Sequence, residues 1–175
     1  MSINDFFIQA IGFLGTILFF LSFQCRHNQK LFRVQLVSYL CYTTHLLMLG
    51  AVTGGISYIL NMLRSFCLSS KHAFLRGKQM CRILCALQML TLVFTWTGWR
   101  SCLPVIANIA STIGGYTHNP RKVRIAGMFV NSPLWILYDI LVGSWAGIVD
   151  EIVSELSMLI SIYRYGWKNL DTTEN

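Results

Sequence analysis

Apolar residues gather into seven stretches along the chain: Phe6–Gln24, Leu31–Leu49, Gly54–Ser70, Gln79–Thr97, Cys102–Thr117, Val123–Val142 and Trp145–Tyr165. Each runs for about 16 to 21 residues. At about 1.5 Å of helix rise per residue, that length crosses the roughly 30 Å hydrocarbon layer of a bilayer. The pattern predicts an all-α membrane protein with seven transmembrane helices. The connections are too short to build a soluble domain. Two stretches are interrupted, the third by Asn61 and Arg64, the seventh by Asp150, Glu151 and Glu155. The first is expected to remain as a helix rather than act as a cleavable leader. Asp5 precedes it instead of a basic run, and no small-residue cleavage site follows.

Composition supports the same solvent. Apolar residues make up 54% of the 175 residues and charged residues 12%, against about 25% charged in a typical soluble domain. The mean hydropathy is +0.54. A soluble enzyme and a disordered chain are both excluded. The net charge of +7, from 14 basic against 7 acidic residues, would suggest nucleic acid in a soluble protein. Here the basic residues sit in short clusters between apolar stretches, so no nucleic-acid partner is expected and membrane lipid is. Arg26, Lys30 and Arg33 follow the first stretch; Arg64, Lys71, Arg76, Lys78 and Arg82 surround the third connection; Arg121, Lys122 and Arg124 follow the fifth; Arg164 and Lys168 mark the end. Thirteen of the fourteen therefore fall on one side, with only Arg100 on the other. Basic side chains in short loops resist translocation. That side is expected to be cytoplasmic, which puts the amino terminus outside and the carboxyl terminus inside.

The six cysteines, Cys25, Cys41, Cys67, Cys81, Cys85 and Cys102, form no C-x-x-C pair and read as small apolar filler rather than metal ligands. No Gly-rich phosphate loop, no G-x-S-x-G and no His/Cys/carboxylate cluster at ligand spacing occurs. No cofactor and no enzymatic activity are expected.

The two halves of the chain resemble each other. His27-Asn28-Gln29-Lys30 with Arg33 corresponds to His118-Asn119-Pro120-Arg121 with Arg124 at a displacement of 91 residues. Beyond that point Tyr42 corresponds to Trp135, Gly50 to Gly143 and Gly54 to Gly147, now at 93. The ordered matches predict two parallel three-helix repeats joined by a linker helix, a 3+1+3 layout known among transporters. In residue numbers, the first unit is 1–70, the linker with the fourth helix 71–100, the second unit 101–166, and a cytoplasmic tail 167–175.

Polar residues at membrane depth supply the candidate site. Ser57, Asn61 and Arg64 share one helix face, and the equivalent helix carries Asp150, Ser154 and Ser157 beside Glu151 and Glu155. Asn108 marks the fifth stretch, Asn131 the sixth and His45 the second. For Asn108, Asn131 and His45 the alternatives are helix–helix glue and a pathway lining. A charge near the bilayer centre costs at least about 2.5 kcal/mol and should face water or a partner. Arg64 and Glu155 are therefore expected to meet across the axis between repeats, either as a gate or as a structural ion pair. Pro104 and Pro133 fall within the fifth and sixth stretches and predict kinks.

The residues Gln35-Leu-Val-Ser-Tyr39 through Gly50, Ile59-Leu-Asn61-Met-Leu-Arg64, Leu103-Pro-Val-Ile106 with Ser111-Thr112, and Gly143-Ser144 with Gly147 and Glu151 resemble the bacterial inner-membrane protein family of the YgjV type. The resemblance covers most of the chain and implies a multi-pass protein of the bacterial inner membrane, without implying an activity. More loosely, the chain is similar to SWEET and PQ-loop transporters. That likeness implies a pathway between the two bundles, lined by asparagine and aromatic side chains, onto which Asn61, Tyr42 and Trp135 map. It departs from their pattern in having Ser154 where a second asparagine would stand, and in lacking the proline-glutamine dipeptide. The expected function is a small-solute transporter with its site near Asn61, Arg64, Asn131 and Glu155, with Glu151, Asn108, Tyr42 and Trp135 in the pathway. The alternative is a non-transporting receptor or accessory subunit.

Overall fold

The computed structural model describes residues 3–48, 52–142 and 145–170, so Gly50, Gly143 and Ser144 lie outside the described residues. The described residues are all helical or irregular, without a strand. The elements are α1 (Ile3–Phe23), α2 (Asn28–Met48), α3 (Val52–Ser69), α4 (Lys78–Phe94), α5 (Cys102–Gly115), α6 (Pro120–Ala126), α7 (Ser132–Val142) and α8 (Trp145–Tyr165). A wide turn of π-helix, Gly127–Asn131, joins α6 to α7 into one rod. Seven rods thus stand where seven apolar stretches were expected, and α8 has the expected bounds.

The differences at the ends have local causes. The sixth rod begins three residues early because Asn119 caps it. Its side chain accepts from the Arg121 and Lys122 amides, and Pro120 occupies the first helical position. The fourth rod ends three residues early. Thr95 leaves the helical region at φ −115°, and Gly98 adopts φ +124°, a conformation that favours glycine. Pro133 lacks an amide proton and its ring crowds the carbonyl four residues back. Just before it the chain widens, and the Ser132 amide donates to Gly127 O, five residues back.

Six rods form a closed ring. α1 packs on α2, α2 on α3, α3 on α5, α5 on the α6–α7 rod, α7 on α8, and α8 back on α1, while α4 lies outside against α3 and α5. Close approach of α1 and α2 depends on Gly15, where a Cβ would stand 3.0 Å from the Tyr42 ring. This contact brings Ser38 Oγ within 2.8 Å of Gly15 O as donor. At one end of the ring, Phe23, Leu31, Phe32, Leu68, Val123 and Met158 form an apolar cluster. This is the end at which α1 and α3 finish and α2 and α6 begin, so the basic connections lie there.

Burial is inverted relative to a soluble domain. Buried polar residues outnumber buried apolar ones, and large apolar side chains such as Phe13, Ile17, Leu40, Val93, Phe129, Ile140, Leu156 and Ile160 are exposed. Among the described residues, no helix is long and apolar enough to cross a membrane. Inward-facing polar residues interrupt the apolar runs, notably Gln35, Ser38 and Thr43 on α2, Ser57, Asn61, Arg64 and Ser65 on α3, and Asp150, Glu151, Ser154, Ser157 and Ser161 on α8.

Candidate functional site

Inside the ring lies a cavity lined by Phe19 of α1, Tyr39 and Tyr42 of α2, Tyr58 and Asn61 of α3, Asn131 and Trp135 of the α6–α7 rod, and Asp150 and Glu151 of α8. Its volume of about 10 Å³ admits one water-sized group. The apolar cluster underlies it, with Phe19 and Tyr39 belonging to both.

The walls follow from helix spacing. Tyr39 and Tyr42 are three residues apart on α2, as are Tyr58 and Asn61 on α3, so each pair projects from one face. Tyr58 lies at the centre of the aromatic wall, with ring centroids 5.7 Å from Tyr39, 5.1 Å from Tyr42 and 5.6 Å from Trp135. Trp135 also meets Tyr138 edge-on. The Tyr42 hydroxyl is hydrogen-bonded to Thr16. Asp150 and Glu151, 3% and 5% exposed, complete the lining. Asp150 interacts with Tyr42 and Thr16, Glu151 with Ser132. Asp150 Oδ1 and Glu151 Oε2 nevertheless have no hydrogen-bond partner, nor does Asn61 Oδ1.

The structure brings Tyr42, Asn61, Asn131, Trp135 and Glu151 together in this cavity. Asn108 lies one layer out, where its Oδ1 accepts from Asn61 Nδ2 at 3.1 Å and joins α5 to α3. His45 acts as glue, with Nδ1 2.7 Å from Ile8 O on α1. The expected meeting of Arg64 and Glu155 does not occur. Arg64 Nη2 donates to the Tyr39 hydroxyl at 2.9 Å, and the guanidinium stands 5.8 Å from the Tyr39 ring centroid. Half-buried Glu155 faces Ser132 instead. The guanidinium finds its acceptor on the neighbouring helix, and Nε and Nη1 have no hydrogen-bond partner.

Sequence reasoning missed Tyr39, Tyr58 and Phe19, which look like ordinary apolar filling; the three-residue spacing Tyr39–Tyr42 and Tyr58–Asn61 was the available signal. It also missed Arg124, which is fully buried. Its Nε and Nη2 donate to Ser161 Oγ at 3.1 and 2.8 Å, Nη1 to Pro120 O at 3.0 Å, and Nη2 to Phe23 O at 3.0 Å and Cys25 O at 3.2 Å. One side chain thus ties α6 to α8 and to the carbonyl end of α1, where a cation is favoured by the helix dipole. Ser157 Oγ continues the same seam, donating to Phe20 O at 2.5 Å, while Gln24 Nε2 donates to Ser157 Oγ at 3.0 Å.

An all-helical ring with polar side chains inside and large apolar ones exposed outside departs from the burial pattern of a water-solvated domain. The chain belongs to the Imp-YgjV family, described as bacterial inner membrane protein, whose profile matches residues 6–169. No curated protein and no solved structure matches it.

Proposed function

We propose that this protein is a seven-span inner-membrane carrier of a small solute, with its site in the cavity between two three-helix units. The observation that carries the reading is the pair Asp150 and Glu151, each with an unpartnered oxygen, beside a cavity deep in the bundle. Carboxylates at that depth are costly and mark solute or ion pathways. A cavity with room for one water-sized group is what an occluded carrier would retain. The ring supports the two-unit reading: the first helix of each unit packs on the third helix of the other, α1 on α8 and α5 on α3. Reciprocal contacts of that kind are what a two-fold axis along the membrane normal requires. The basic connections support a cytoplasmic position for the end that carries the apolar cluster.

The test is side-dependent access. Asn131→Cys in a cysteine-free background, in right-side-out and in inverted vesicles, is exposed to a membrane-impermeant maleimide. A carrier is expected to label from both faces. A receptor or accessory subunit, in which the polar residues only hold helices together, labels from neither.

A further inference from the structure

The chemistry of the cavity points to one kind of solute, and this step rests on the carrier reading. The buried lining atoms that lack a hydrogen-bond partner are Asn61 Oδ1, Asp150 Oδ1 and Glu151 Oε2. All three are acceptors, and Asn61 is 4% exposed. An unpaired acceptor in a dry interior is costly, so the group that completes the site must bring donors. The unpartnered donors nearby, Arg64 Nε and Nη1 and Asn108 Nδ2, belong to residues outside the lining. The Asp150 and Glu151 carboxyls in the wall disfavour a carboxylate or phosphate there. A sugar hydroxyl both donates and accepts, and would leave part of its capacity unused here. A protonated primary amine has three donors and no acceptor. It also carries the charge that two carboxylates favour.

The remaining walls fit the same group. Tyr39, Tyr42, Tyr58 and Trp135 make a nearly continuous aromatic lining, with successive centroids 5.1 to 5.7 Å apart. Aromatic faces attract cations through their quadrupole, most strongly where water is excluded. The volume of about 10 Å³ accepts a head group the size of a water molecule. We infer that the site binds the ammonium group of a small organic amine, with Asp150, Glu151 and Asn61 accepting its three hydrogens and the aromatic wall covering its charge.

The experiment titrates the purified full-length protein in detergent with ethylammonium chloride and follows thermal stability, which rises with any ligand specific to the folded state. Ethanol, glucose and sodium acetate serve as neutral and anionic comparisons at matched ionic strength. Ethylammonium alone is expected to raise the midpoint. Glu151→Gln should weaken its apparent affinity by about tenfold or more, since hydrogen bonds to charged groups are worth about 1.5–3 kcal/mol and each 1.4 kcal/mol is tenfold. Trp135→Leu should weaken it severalfold and keeps the test open if Glu151→Gln does not fold. No response to ethylammonium overturns the assignment. So does a response that survives both substitutions, or stabilisation by glucose or acetate that Glu151→Gln removes. The maleimide labelling decides the carrier reading separately.

Discussion

Two arginines are buried in this bundle, and their surroundings are opposite. Arg124 makes five hydrogen bonds, to Ser161 Oγ and the carbonyls of Pro120, Phe23 and Cys25. Arg64 makes one, to the Tyr39 hydroxyl, and two of its nitrogens have no partner. The first stands in a seam where α1, α6 and α8 are fixed to one another. The second bonds Tyr39, which lines a cavity whose own acceptors Asn61 Oδ1, Asp150 Oδ1 and Glu151 Oε2 are also unpartnered. Where a protein needs a charge for cohesion, it surrounds the charge with partners. Buried polar atoms without partners are rare because leaving them bare is costly.

Methionine substitution breaks or sharpens that contrast most directly. Arg124→Met strands the carbonyls at the end of α1 and should cost about 3 kcal/mol or more, a fall in thermal midpoint on the order of 10 °C. Arg64→Met removes two unpartnered donors and should stay within about 1 kcal/mol of the parent protein or stabilise it. Equal losses in the same detergent would abolish the distinction. Next in size is Gly147→Ala, because a Cβ there would overlap the Asp139 carboxyl. Overpacking of this kind costs about 1–3 kcal/mol. A smaller loss would show that the α7–α8 pair is as yielding as the cavity it borders. Glu151→Gln should go the other way, raising stability by about 1 kcal/mol as a buried, unsatisfied carboxyl is replaced by an amide, while solute uptake by proteoliposomes is lost. Stabilisation with uptake intact would remove Glu151 from the site. The smallest effect is the Asn61–Asn108 bond, for which a double-mutant cycle of alanine substitutions should give about 0.6 kcal/mol. A much larger coupling would mean that Asn61 serves cohesion, as Arg124 does.

This contrast also explains what could be read in the amino-acid sequence. Helix positions were legible because apolar runs are local signals, whereas the Asn119–Pro120 start, which begins the sixth rod three residues before Val123, was missed. Part of the cavity was legible because Asn61, Asn131 and Glu151 are polar where lipid-facing residues would be apolar. Tyr39 and Tyr58 were hidden, since a tyrosine in an apolar run has the same sequence appearance whether it fills a core or walls a cavity. The role of Arg124 was hidden for a different reason. Counting loop charges treats it as a solvated marker of sidedness, and its acceptors Phe23 O and Cys25 O lie 101 and 99 positions away. Only folding brings them together. The expected Arg64–Glu155 pair failed on the same ground: depth and charge were legible, but not which neighbour is nearer.

The wide turn at Gly127–Asn131 has a bearing on which way the two parts of the sixth rod face. A π turn takes in one more residue than an α turn over the same stretch of axis. The additional residue at Gly127–Asn131 is therefore absorbed without lengthening the rod. Its effect is rotational, since each residue in a helix advances the face by about 100°. The extra residue re-aims everything after it, so that Arg124 before the turn faces α1 and α8 while Trp135 after it faces the cavity. Deleting a single residue there would be expected to leave a rod of nearly the same length, with its second half turned the wrong way.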